Sequence, residues 1–347
     1  SIIPRIGYKV ALAVGLAIVT LACLFTPLVG SFLIIKLLFA CIGVSFALVK
    51  ISVYSIIGQL SESVKSHSSL LNTIEGIFMV GSLAGYWLFS LYVNPDAPKS
   101  IGWLNVYFPL AGLIALTILL VAFSSIEKPE QASAQPSILV GFIDMIKLSY
   151  QRLVMIFLIS AFLYVLIEQG IGTWLPTFNS EVLGLPSNVS VQMTSIFAAA
   201  LAIGRLLAGQ VLRYINWYSF LNICLVCMAL LIIIILPLTS GTSGENVTSF
   251  LDAPMVAYLL PLIGLMMAPI YPVLNSVMLS SLEKSKHASM TGLIVVFSAL
   301  GGTTGSVITG YSFQAFGGQQ AFYLSLIPMV LILISLYFFN SATEKSA

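Results

Sequence analysis

Charge is what this sequence has least of. Only 7% of its 347 residues are charged, against 59% hydrophobic, whereas an ordinary soluble domain carries about 25% charged residues. That balance excludes a soluble fold. Histidine is almost missing, with His67 and His287 alone. Both fall in connections between apolar runs, so no histidine-based acid–base or metal cluster can form at membrane depth, and a membrane enzyme is excluded on that ground. The four cysteines, Cys23, Cys41, Cys224 and Cys227, all sit inside apolar runs. The last pair has a C-x-x-C spacing, but no second pair accompanies it, and buried free cysteine ordinarily behaves as a small hydrophobe. Neither metal nor cofactor is expected. The net charge of +2 comes from 14 basic and 12 acidic residues, which leaves no basic surface for nucleic acid. No signal-peptide pattern precedes the first apolar run, and the chain opens on Ser1. It reads as a fragment or a processed chain.

What the sequence has in abundance is long apolar stretches. A membrane-crossing helix needs roughly 20 such residues, and ten stretches qualify, at about 10–29, 32–58, 68–93, 102–124, 152–177, 190–212, 218–238, 254–281, 288–313 and 319–340. The runs are too long and too uniformly apolar for the alternating strands of a barrel. The chain is therefore an all-α, polytopic integral membrane protein embedded in a lipid bilayer. An even number of spans puts both termini on one side. The positive-inside bias makes that side cytoplasmic, because Arg5, Lys9, Lys65, Lys128, Lys147, Arg152, Arg213, Lys284, Lys286 and Lys345 then lie inside and Lys99 outside.

Residues 125–151 mix charge, Pro, Ala and Ser with a weakly amphipathic tail. They read as a cytoplasmic linker between a four-helix bundle, 1–124, and a six-helix bundle, 152–347. An internal repeat supports this division. "EGIFMVGSLAG" (75–85) aligns with "TGLIVVFSALG" (291–301), matching Gly76 to Gly292, Ser82 to Ser298 and Gly85 to Gly301. Spans one to four thus correspond to spans seven to ten, and spans five and six have no counterpart in the first half.

With a linker, a repeat and "PRIGYK" (4–9), the chain resembles the major facilitator superfamily. Arg5, Gly7 and Lys9 match the end of the Asp-Arg-x-Gly-Arg-Lys loop that follows that family's second helix, and "GRLLAGQVLRY" (204–214) resembles its degenerate copy. The resemblance implies a two-bundle fold with ten of twelve transmembrane helices present, equivalent to helices 3–6 and 7–12. It also implies a central cavity lined by residues 32–58, 152–177 and 254–281. "YVLIEQGIGTWLPTF" (164–178) and "APIYPVLNSVMLSSL" (268–282) resemble the seventh and tenth helices of the fucose and glucose/galactose proton-symporter branch. The expected function is proton-coupled alternating-access transport of a small polar solute, a sugar or sugar-like compound, by a monomer in the bacterial inner membrane. An organic-anion or drug transporter of the same superfamily, and a non-transporting sensor or scaffold derived from one, are the alternatives.

The residues themselves point to sites. Glu168 lies in the middle of an apolar run, where a carboxylate is costly and is expected to face a cavity. It is the candidate proton-coupling residue; the bland reading is a hydrogen bond to a neighbouring helix. Tyr164, Glu168 and Gly172 recur at i, i+4 spacing, with Gln169 and Trp174 flanking that face, and a flat apolar surface beside polar groups suits a pyranose. Trp174 reads equally as an interfacial anchor. Tyr271 and Asn275, one turn apart in a span interrupted by Pro261, Pro269 and Pro272, are the second-half substrate candidates, against simple kinking. Lys50 and Glu75 flank a cytoplasmic turn at similar distances along consecutive helices, which predicts an intramembrane ion pair. Snorkelling of Lys50, or its binding of an anionic substrate, are the competing readings. Gly301, Gly302 and Gly305, with Gly81 and Gly85 in the repeat, are expected to be close-packing positions. Arg205, near the cytoplasmic end of its span, reads as structural.

Overall fold

A peptide group in hydrocarbon has to find its hydrogen-bond partner within its own segment. The computed structural model follows that requirement, with helices and short connections and no strand over the residues it describes, which are 7–60, 64–97, 100–124, 138–242, 244, 246–283 and 286–344. Among the described residues, nine helical stretches are long and apolar enough to cross a membrane. The expected third span is the long helix Val64–Ser90, of which Ile77–Ser90 forms a shorter apolar segment. Its polar beginning, "KSHSS", extends the helix beyond the apolar stretch. The chain divides into two compact units, Ser1–Pro136 and Ser137–Ala347.

The first unit holds α1 (Tyr8–Val29), α2 (Phe32–Leu60), α3 (Val64–Ser90), a 3₁₀ segment (Ile101–Val106) and α4 (Tyr107–Phe123). α1 ends where Gly30 turns left-handed at φ 61° and its N–H returns to the Thr26 carbonyl, the usual glycine stop. α1 packs against α2 and α4. At their crossing Gly15 brings α1 so near α2 that a Cβ there would lie 3.2 Å from that of Leu48. Lys9 reaches from the start of α1 to the end of α4 and donates to the Ala122 and Ser124 carbonyls, 2.8 Å each. A cation there satisfies carbonyls left open at a helix C-terminus and complements its dipole. Among the described residues, its core is built on Cys23, Leu38, Leu104, Val106, Tyr107 and Ala111.

The second unit runs through α5 (Ile138–Ser149), α6 (Arg152–Glu181), α7 (Ser187–Val211), α8 (Trp217–Ile235), α9 (Met255–Leu259), α10 (Ile263–Met267), α11 (Ile270–Ser280), α12 (His287–Phe316), α13 (Gly318–Tyr323) and α14 (Leu326–Glu344). The C-terminal part of the expected linker is therefore helix α5, which packs on α6 and α12; residues 125–137 lie outside the described residues. The expected span 254–281 is broken into α9, a 3₁₀ turn over Leu260–Leu262, α10 and α11, with Pro261 and Pro269 at the breaks because proline supplies no N–H to the ladder.

α6 is the centre of this unit and α12 its most intimate neighbour. A Cβ at Gly301 would sit 2.4 Å from the Phe162 carbonyl oxygen, and one at Gly305 would sit 2.1 Å from that of Leu166. Glycine alone permits that approach. The repeat partners behave differently: Gly81 and Gly85 have nothing within 4 Å of an added Cβ. The close-packing expectation is thus met at Gly301 and Gly305 and corrected at Gly81 and Gly85, because among the described residues no atom approaches the place a side chain would take there. On either side of this contact along α6, Ser160 meets Ser335 of α14 at 2.6 Å, and the Phe178 and Phe322 rings stack at 4.6 Å.

Candidate functional site

Glu168 sits on the buried centre of α6, and the fold surrounds it with polar partners. Tyr164, one turn earlier on α6, donates its hydroxyl to Glu168 Oε1 at 3.1 Å. Arg205 of α7 brings Nη2 to the same oxygen at 3.5 Å. Arg205 and Glu168 keep side-chain exposures of 30% and 19%, whereas Tyr164 is only 1% exposed. The tyrosine therefore holds the acid from within the core while the ion pair stays within reach of the exterior of the unit. The Tyr271 ring of α11 stacks on that of Tyr164 at 5.6 Å and 20°, and its hydroxyl meets Ser298 Oγ of α12 at 2.8 Å. One connected set of groups thus spans α6, α7, α11 and α12.

The position of Arg205 is set by its neighbour. A Cβ at Gly204 would lie 2.4 Å from the Leu265 carbonyl of α10, so α7 can press against the broken span only because that residue is glycine. Sequence reasoning read Arg205 as structural. The structure makes it the ionic partner of the candidate coupling acid, and the missed signal was a second ionisable residue inside a span of the same bundle.

The other candidates separate. Asn275 lies one turn beyond Tyr271 on α11, and its buried Oδ1 has no hydrogen-bond partner among the described residues. Gln169 is exposed and its Cγ lies against Gly302 of α12, 3.1 Å from where a Cβ would stand. Trp174 turns toward α12 as well, donating from Nε1 to the Ser306 carbonyl at 2.8 Å and stacking on Phe313 at 5.1 Å. Its edge lies where a Gly310 side chain would be, at 2.4 Å. Gln169 and Trp174 therefore do not share one flat face with Tyr164 and Glu168, since residues one and six positions past Glu168 point around the helix toward a different neighbour. Gly172 packs on Phe197 of α7. A cavity of about 290 Å³ beside α6, lined by Leu163, Ile167, Gly170, Ile308 and Phe322 among others, is apolar and includes none of the candidates.

In the first unit, Lys50 is exposed on α2 with Nζ 5.4 Å from the Phe46 ring centroid. The Glu75 side chain lies outside the described residues, as do Arg5, Lys99, Lys128, Lys284 and Lys345 and the side chains of Lys65, His67 and His287. No cluster of metal-ligating side chains occurs among the described residues.

Apolar spanning helices and a buried polar set within one bundle define an integral membrane protein of transporter type, and similarity to known proteins makes the class specific. The sequence matches the family model of the Major Facilitator Superfamily over residues 1–260. The chain belongs to that superfamily and is a transporter of small solutes rather than an enzyme. No curated protein matches the sequence. Among solved structures, the chain is similar to the transporter FucP in its outward conformation, at 14% identity and a TM-score of 0.62 over 97% of this chain and 84% of that one. A bacterial homologue of the human lysosomal transporter Spinster gives 14% identity and a TM-score of 0.71 over 97% and 83%. The nucleoside transporter NupG gives 15% and 0.66 over 96% and 83%. At such identities the likeness is one of fold.

Proposed function

We propose that this chain moves a small polar solute of sugar size by alternating access, with a proton bound at Glu168 as the coupling ion. The observation that carries this reading is a carboxylate held inside a spanning helix by Tyr164 and Arg205 while still 19% exposed. Such a group gains and loses a proton where a purely structural acid would be sealed. Intramembrane carboxylates that face the interior of a bundle mark proton relays in transporters. Tyr271 and Asn275, on the same side as Tyr164 and Glu168, are the proposed solute-binding residues, of which Asn275 offers an unsatisfied acceptor among the described residues; Gln169 and Trp174, turned toward α12, are proposed only as outlying contacts. Lys50 and Glu75 are proposed as an ion pair of the first bundle. A relative in fold, the fucose:proton symporter FucP of E. coli, couples a sugar to protons, which favours the same class here. Residues 1–124 and 152–347 are proposed as the two bundles of the alternating-access cycle, with 125–151 as the linker that joins them in sequence. The protein is proposed to work as a monomer in the bacterial inner membrane with both termini cytoplasmic.

The test is Glu168→Gln in proteoliposomes. The variant is expected to lose accumulation driven by a pH gradient while keeping solute counterflow, which needs no net proton movement. An unaltered pH-driven accumulation refutes the assignment.

A further inference from the structure

The apolar cavity beside α6 is too large to be a packing flaw. Protein interiors hold few voids bigger than a water molecule, and its volume of about 290 Å³ equals the share of liquid that about ten waters take. It follows the middle of α6 from Leu163 to Ile171, a rise of about 12 Å. α12 closes it from Ile308 to Ser312, and α13 and α14 close it from Ala321 to Leu331. On α6 the lining positions Leu163, Ile167, Gly170 and Ile171 recur at the spacing of a single helix face. Tyr164 and Glu168 stand on another face, so the cavity lies behind the polar set and apart from it.

Its walls suit hydrocarbon and not water. A buried water needs two to four polar partners, and the hydroxyls on these walls are turned to protein. Ser312 donates to the Ile308 carbonyl at 2.8 Å and Ser325 to the Phe322 carbonyl at 2.6 Å. Thr309 Oγ1 is pressed against α6, 2.6 Å from where a Cβ of Gly170 would stand. The mouth is apolar as well. Ile308 of α12 and Ile327 and Leu331 of α14 line the cavity and are also exposed on the outside of the unit. α6 and the stretches that carry these residues are long and apolar enough to cross a membrane, and at the middle of such a span the surroundings are lipid chains. The cavity is therefore a side branch of the hydrocarbon phase.

We propose that this cavity is a binding site for one acyl chain of a membrane lipid, which enters between α12 and α14 and lies along the back of α6. The site is independent of the solute and the coupling ion proposed above. Its occupant is hydrocarbon because the walls offer contact area and no free hydroxyl hydrogen, and it is a bilayer lipid because the mouth opens where lipid chains already are. The chain supplies the van der Waals contacts that an empty slot of this size denies to its lining. The helix that holds Tyr164 and Glu168 is thus braced from behind by a component of the membrane.

The experiment reconstitutes the full chain in phosphatidylcholine vesicles doped with a phosphatidylcholine whose acyl chain carries a photoactivatable diazirine, and maps the labelled residues by mass spectrometry. Val307 and Val330, 51% and 53% exposed and next to Ile308 and Leu331, report lipid that merely surrounds the protein. Ile167 and Ile171, 2% and 3% exposed, are within reach only of a chain inside the cavity. Because a site in contact with bulk lipid is mostly filled, labelling of Ile167 and Ile171 is expected within about threefold of that at Val307 and Val330. Labelling of the inner pair about tenfold or more below the outer pair means an empty site and overturns the proposal. A particle of twice the chain mass with the inner pair unlabelled also overturns it, and gives the slot to a second copy. Ser312→Leu and Ser325→Leu, made separately, each put a larger side chain into the cavity. Each is expected to cut labelling of Ile167 and Ile171 about fivefold while leaving Val307 and Val330 unchanged. Undiminished inner labelling in either variant that melts like the parent refutes the site, and the parental pattern decides alone where a variant does not fold.

Discussion

Asp252 shows how one side chain can order a connection. Its Oδ2 accepts from the Ser249 hydroxyl at 2.7 Å, the Thr248 hydroxyl at 3.0 Å and the Ser249 N–H at 3.1 Å. The bonds from Ser249 and then Thr248 favour the charged form and hold the carboxyl below its ordinary value of 3.8. A folded value lower than the unfolded one stabilises the turn above the ordinary value, and the stabilisation is lost as pH falls through the depressed value. Protection of the Ser249 amide, taken relative to its intrinsic exchange rate at each pH from neutral downward, is therefore expected to persist to below pH 3.8 and to be lost only in stronger acid. A loss of protection beginning near neutrality contradicts the arrangement. Single residues were unequally legible in the sequence. Glu168 stood out because a carboxylate in an apolar run has few explanations. Arg205 did not, because an arginine a few residues from a helix end is ordinary, and only the packing of α7 across α6 brings it to that acid. Trp174 was ambiguous for a related reason, since helical spacing gives a direction around α6 but not which helix stands there.

Elements meet on their smallest residues. The Phe162 and Leu166 carbonyls of α6 lie against Gly301 and Gly305, and because the obstruction is backbone, α12 has to move bodily to admit a side chain. Gly301→Ala is expected to destabilise the second unit by about 2 kcal/mol or more through overpacking. Gly85→Ala, its counterpart in the repeat with open space around it, is expected to be neutral or stabilising by up to about 1 kcal/mol through helix propensity. Unfolding of both variants in detergent by denaturant checks the contrast, and equal losses would contradict it. Hydropathy located the spans, and proline located the breaks in the span leading to α11, because both follow from local chemistry. The difference between Gly85 and Gly301 was not legible, since identical residues in a repeat carry no record of whether another helix covers them.

Among the described residues, burial is lopsided between the two units. The second unit has an extensive core running from Leu148 to Phe339, while the first relies on a handful of residues around Tyr107. Local stability follows buried apolar contact. Expressed in membranes on its own, 137–347 is expected to retain a trypsin-resistant helical domain, whereas 1–136 alone is expected to be digested faster. The reverse order would contradict the burial pattern. At this scale the sequence was most informative: membership in an all-helical transporter family was readable from run length, a charged connection and a repeat, which depend on no detail of packing.

The interrupted span has a mechanical corollary. Bending an ordinary helix means rupturing rungs of its ladder, one after another. Pro261 and Pro269 each leave out one such rung in advance, at Leu260–Leu262 and between α10 and α11, so the segment carrying Tyr271 and Asn275 can pivot at these joints with fewer bonds to rupture than an unbroken helix would present.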